Sequence, residues 1–115
     1  MSAFRRNKFK AVRNVNEHGA FDSKREALDY QSLLLLERGG VIKDLRRQVT
    51  FRLEVNGKLV TSYRADFTYT RIASGRTVIH ETKGFWTDAF RIKWKLIKAI
   101  HGDDFEYCLN GEMEK

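Results

Sequence analysis

Asn56 and Gly57 stand between two runs that alternate apolar and polar residues, and this arrangement constrains the chain more than any other feature. On one side Val49, Phe51, Leu53 and Val55 recur at every second position. On the other, KLVTSYRADFTYT carries Leu59, Thr61, Tyr63, Ala65, Phe67 and Tyr69 at the same spacing. Successive side chains of a strand point to opposite faces, and an Asn-Gly pair tolerates the two positive φ angles of a tight turn, so the segment reads as an antiparallel hairpin. The same period puts Asp66 on the opposite, polar face with Ser62, Arg64 and Thr68.

The flanking segments complete the order of elements. FDSKREALDYQSLLLLERGG reads as a helix, with Ser23 as N-cap, Glu26 as its capping-box partner, and Gly39 with Gly40 as the stop. After a turn at ASG comes a third strand, RTVIHETKG, then a helix over residues 87–100 and a strand through FEYCL. The resulting order, αβββαβ, predicts an α/β fold with a mixed sheet flanked by helices. Residues 1–20 have no steady period and read as a basic arm with room for a short strand near its end, leaving residues 21–115 as a single domain. A chain of 115 residues with 42% apolar side chains suits one packed core. The run Leu33–Leu36 is far too short for a membrane span and MSAFRRNKFK lacks an apolar signal segment, so an intracellular protein without a membrane partner is expected. Cys108 has no partner for a disulfide or a zinc site and reads as a small buried apolar residue.

A net charge of +7 points to a polyanionic partner, with nucleic acid as the leading candidate. Arg5, Arg6, Lys8, Lys10 and Arg13 precede any acidic residue, and Arg91, Lys93, Lys95 and Lys98 form a second cluster. On the second helix Arg91, Lys95 and Lys98 fall on one face that could follow a phosphate backbone. Solvated basic surface is the plain alternative, and an anionic membrane is a weaker one because the arm has no amphipathic stripe. His18, His80 and His101 have no ligand spacing among themselves. Trp86 and Trp94 could stack on bases, although such residues flanking a helix more often anchor a core.

The chemistry converges on VIHETKGFW, residues 78–86. Glu81 and Lys83 share a strand face while His80 and Thr82 point away. If the hairpin brings Asp66 beside Glu81, two carboxylates and an amine meet on adjacent strands. Adjacent carboxylates repel unless a cation lies between them, and hard oxygen ligands at a phosphate-binding surface favour magnesium or manganese. The Lys83 ammonium could then polarise a water or stabilise charge developing on phosphorus.

The αβββαβ order with Asp66 and Glu81-x-Lys83 on its second and third strands resembles the PD-(D/E)XK nuclease superfamily. ETKGFWTDAFRIKWKLI is similar to the corresponding segment of endonuclease I type Holliday-junction resolvases of phages. Together with FDSKREALDYQSLLLLERGGVIKDLRRQVTF and YRADF, it also resembles a family of small phage and prophage proteins within that superfamily, catalogued as a domain of unknown function. The resemblance runs from about Phe21 to Leu109; Ala65 replaces the proline that precedes the Asp, and His80 replaces a more acidic or apolar neighbour. It implies Asp66 and Glu81 as ligands of Mg2+, for which Mn2+ can substitute, with Thr82 giving a backbone carbonyl and Lys83 positioning water. Glu26 matches the family's helix carboxylate. A capping box alone explains a glutamate there, but the stripe it shares with Tyr30 and Leu33 turns it inward. Gln48 could bond the site or merely the hairpin. The implied protein is a magnesium-dependent endonuclease of branched DNA, a junction resolvase encoded by phage or prophage, acting as a homodimer in the bacterial cytoplasm. The alternatives are a nicking or repair endonuclease, and a basic DNA-binding module with inert carboxylates.

Overall fold

A computed structural model describes residues 14–16, 19–21 and 24–114. Ser23 and the arm cations Arg5, Arg6, Lys8, Lys10 and Arg13 lie outside the described residues, as does His18. The predicted order appears as α1 (Lys24–Arg38), β3 (Ile42–Val55), β4 (Lys58–Arg71), β5 (Thr77–Glu81), α2 (Asp88–His101) and β6 (Phe105–Leu109). Two short strands precede it, β1 (Asn14–Asn16) and β2 (Gly19–Phe21), paired antiparallel, and β7 (Glu112–Glu114) follows it. The boundary expected at residue 20 therefore falls within β2.

Local chemistry explains where the elements stop. Gly40, at φ 77°, ends α1: its own N–H bonds the Glu37 carbonyl and that of Val41 bonds the Leu36 carbonyl at 2.9 Å. This is the paired closure that a left-handed residue permits at a helix C-terminus. Thr87 caps α2 by accepting from the Phe90 N–H at 3.0 Å. Asn56 and Gly57, at φ 53° and 79°, make the tight hairpin turn between β3 and β4.

The five-stranded sheet runs in the order β3-β4-β5-β6-β7. Only β5 and β6 pair in parallel, which requires the α2 crossover between them. Two clusters fill the faces. Phe90, Trp94 and Ile97 of α2 cover Leu53, Tyr63, Ala65, Ile79, Tyr107 and Leu109. Leu33 of α1, with Ala27 and Tyr30, covers Ile42, Phe67, Tyr69, Val78 and Cys108. Val78 and Ile79 are neighbours on β5 yet belong to different clusters, so the helices lie on opposite faces of the sheet.

The period-two reading of β4 needs correction here. Tyr63 and Ala65 pack under α2, whereas Phe67 and Tyr69 pack under α1, although all four were expected on one face. The flanking pairs Arg47↔Phe67 and Val49↔Ala65 leave Gln48 opposite Asp66, and Gln48 has a φ of 54°. A left-handed residue interrupts the pleat, so each half of the long hairpin turns its apolar side chains to the face its own helix covers. Asp66 consequently lies at the crossing between two cores, half-buried, and Thr68 is buried too.

Candidate active site

The pair Phe67↔His80 fixes the β4–β5 register, and one further step sets Asp66 beside Glu81. The Thr82 N–H donates to Asp66 Oδ2 at 2.9 Å. Glu81 is 1% exposed and accepts a hydrogen bond from the Tyr63 hydroxyl on Oε2. Its other oxygen, Oε1, is buried without a hydrogen-bond partner and lies 3.8 Å from Lys83 Nζ. The Lys83 ammonium also sits 4.7 Å from the centre of the Phe90 ring. Asp66, Glu81, Thr82 and Lys83 are thus brought together as the sequence led one to expect.

Burial governs the electrostatics. It pushes the Glu81 carboxyl up to about 8, assisted by the negative charge of Asp66, while the Tyr63 hydroxyl and Lys83 pull the other way. Burial also raises Asp66, opposed by the Thr82 N–H. Both carboxyls are thus pushed toward the protonated form by burial, Glu81 with the added repulsion of Asp66. Tyr63, raised by burial and by Glu81, stays a neutral donor. A buried carboxylate oxygen with no partner is costly, and a divalent cation held by Asp66 and Glu81 would satisfy it and favour the ionised form of both. The residues present thus fit Mg2+ or Mn2+, with Asp66 and Glu81 as the side chains that would hold it.

Glu26 is buried on α1 and accepts from Gln48 Nε2 at 2.7 Å, so it is tied through one amide to the residue opposite Asp66. Among the described residues no three His, Cys, Asp or Glu side chains converge as a metal-binding group, and Glu26 is not gathered with the Asp66–Glu81 pair. On α2 Arg91 and Lys95 are exposed, but Lys98 bonds Glu114 at 2.6 Å and sits 5.5 Å over the Trp94 ring. Trp94 is a core residue, 3% exposed.

Three supporting residues escaped the sequence reading. Tyr63 bonds Glu81, as above. Asn110 clamps the segment that follows β5: its Oδ1 accepts from the Lys83 N–H at 2.8 Å, its Nδ2 donates to the Lys83 carbonyl at 3.0 Å, and its own N–H donates to the Glu81 carbonyl at 2.9 Å. Asp29 accepts from the Thr82 hydroxyl and stands 3.4 Å from His80 Nε2, while His80 Nδ1 meets the Tyr69 hydroxyl at 3.0 Å. Two signals were available: Asn110-Gly111 repeats the turn pair of the first hairpin, and Asp29 shares with Glu26 and Leu33 the stripe of α1 that faces the sheet.

No helix of the described residues is long and apolar enough to cross a membrane. No curated protein and no solved structure matches the chain. One family model matches residues 6–108. With that span covered, the chain belongs to the family described as a protein of unknown function (DUF1064).

Proposed function

We propose that the chain is a metal-dependent endonuclease of PD-(D/E)XK type that hydrolyses phosphodiester bonds in branched DNA. The observation that carries this reading is the buried Asp66–Glu81 pair, with Glu81 Oε1 unpartnered and the Lys83 ammonium beside it. Two further features support it: exposed Arg91 and Lys95 on the adjoining helix, and a net charge of +7. The substrate proposed is a four-way junction, in the cytoplasm of a bacterial host of a phage or prophage.

When bound, a divalent cation lowers the pKa of water at the site and polarises the phosphoryl oxygen. The chain's own residues prepare for it. Asp66 is aimed by the Thr82 N–H, and Thr82 is in turn held by Asp29. Glu81 would hold the cation as a carboxylate, with the Tyr63 hydroxyl fixing Oε2 and leaving Oε1 without a protein hydrogen bond. Lys83, its backbone clamped by Asn110, keeps its ammonium where it can orient the attacking water or offset charge on the phosphate. Resolving a junction takes paired cuts in two strands, so a homodimer with two such sites is part of the proposal.

The test is cleavage of labelled four-way junction, fork, mismatch and linear duplex with magnesium, manganese or chelator. Paired nicks in the junction, abolished by chelator, are the expected result. Equal cutting of linear duplex would remove the junction preference, leaving a nicking or repair enzyme. Binding to DNA without cutting under any metal would favour an inert binding module.

A further inference from the structure

Gly84 follows Lys83, and nothing in the fold asks for a glycine there. Its φ lies outside the left-handed region, and a Cβ built on it would meet nothing within 4 Å. A glycine that neither turn geometry nor crowding requires leaves bare backbone for the close approach of a ligand. The next residue, Phe85, is 78% exposed. Trp86 sets an edge-to-face contact with Phe90, centroids 5.7 Å apart at 90°, and the Arg91 guanidinium lies 5.1 Å over its ring. These four residues, Gly84, Phe85, Trp86 and Arg91, line an open recess of about 450 Å³ that begins at the residue after Lys83.

An exposed ring by itself says little, but here it shares its recess with a cation, Arg91, whose guanidinium lies over the Trp86 ring. The recess follows Lys83 directly in the chain, and the Arg25 guanidinium lies 3.5 Å from the Lys83 carbonyl. Aromatic faces beside fixed positive charge match a single nucleotide: the base supplies a π-face and its phosphate the anion. We propose that this recess takes one unstacked base of the strand to be cut, stacked on Phe85, with Arg91 on the flanking phosphate and bare Gly84 letting the strand approach. This rests on the nuclease reading and adds its substrate feature: DNA recognised because it offers an unpaired base near the cut, rather than by its sequence.

The experiment uses the full chain carrying Asp66→Asn, to prevent cleavage, with DNA containing 2-aminopurine at or next to the branch point. The expected result is a rise in 2-aminopurine fluorescence on binding. Adding Phe85→Ala should abolish that rise and weaken binding to junction and bulged duplex about tenfold or more, the scale of losing one base stack, with linear duplex affinity within about twofold. Phe85→Tyr should restore both readouts. Gly84→Ala should weaken junction binding at an unchanged Tm, since the fold has room for the methyl group. Loss that is equal on every DNA shape, or no fluorescence rise with the Asp66→Asn parent, overturns the base recess. If chelator-sensitive junction cutting by the unmodified chain persists in that case, the nuclease reading survives without it. A chain that neither binds nor cuts DNA overturns both.

Discussion

Glu81 shows how much one side chain can disclose about a site. In the unfolded chain its carboxyl ionises near 4.5, and burial beside Asp66 moves it up to about 8 in the fold. The folded state thus holds the proton more tightly. The stability it contributes is fully present below about pH 4.5 and is lost as pH rises toward about 8, by at most ~1.4 kcal/mol per pH unit. Metal-free protein in chelator should therefore melt at progressively lower temperature across that window, and Glu81→Gln, which keeps the shape without the ionisation, should flatten the profile and melt higher at its alkaline end. Parallel profiles of parent and variant would mean that Glu81 does not carry the proton. Magnesium competes with the same proton, so its affinity, read by titration calorimetry, should strengthen as pH rises through the window. In the proposed nuclease, Asp66 and Lys83 serve reaction more than binding. Asp66→Asn and Lys83→Ala should hold junctions about as well as the parent and cut them slower by roughly two orders of magnitude, the scale of losing one preorganised charge. Parental cutting by either variant would remove that residue from the site.

The elements deliver these side chains, and their signals were unequally legible. The β3–β4 hairpin was readable because Asn-Gly and strict alternation say the same thing twice, and α2 because Thr87 and an amphipathic Phe90, Trp94, Ile97 stripe agree. The face change in β4 was not, because it depends on a left-handed glutamine, a residue that gives no such signal, and on two helices covering different halves of one hairpin. The β6–β7 turn was overlooked although Asn110 and Gly111, at φ 53° and 86°, repeat the earlier turn. Its strand is only three residues long, too short for alternation to show. Glu26 is where element-level reasoning makes a further prediction. The helix stripe turned it inward, and it bonds Gln48 rather than joining the carboxylate pair. Glu26→Gln keeps an acceptor for the Gln48 amide, so the melting temperature should hold. What changes is a negative charge tied, through Gln48, to the residue opposite Asp66: if the carboxylate pair holds the proposed cation, cleavage should fall about tenfold and need more magnesium, as when the outer partners of a metal site are altered. Cutting at the parental rate across a magnesium titration would leave Glu26 as a helix-to-sheet tie alone.

At the scale of the whole molecule, charge is divided between the domain and its N-terminal segment. The net +7 includes Arg5, Arg6, Lys8, Lys10 and Arg13, which stand before the first acidic residue, while on the domain Lys98 of the expected basic face is drawn to Glu114. Arg91 and Lys95 remain exposed on α2. With one cation of that face engaged inside the fold, the proposed DNA binding would draw more of its phosphate neutralisation from the arm, and cations on phosphates fix position without reading bases. Deleting residues 1–13 should weaken binding to junction, fork and linear duplex by the same factor, because the energy removed is that of counterion release rather than of shape. It should also flatten the slope of log affinity against log salt by roughly 0.9 for each phosphate that the shortened chain leaves unneutralised. The preference for junction over duplex should survive, since the recess at Phe85 and the Asp66–Glu81 pair stay on the domain. An unchanged salt slope after deletion, with affinity reduced, would assign the arm to folding or to assembly of two chains, and analytical ultracentrifugation of the shortened protein would then separate those two roles.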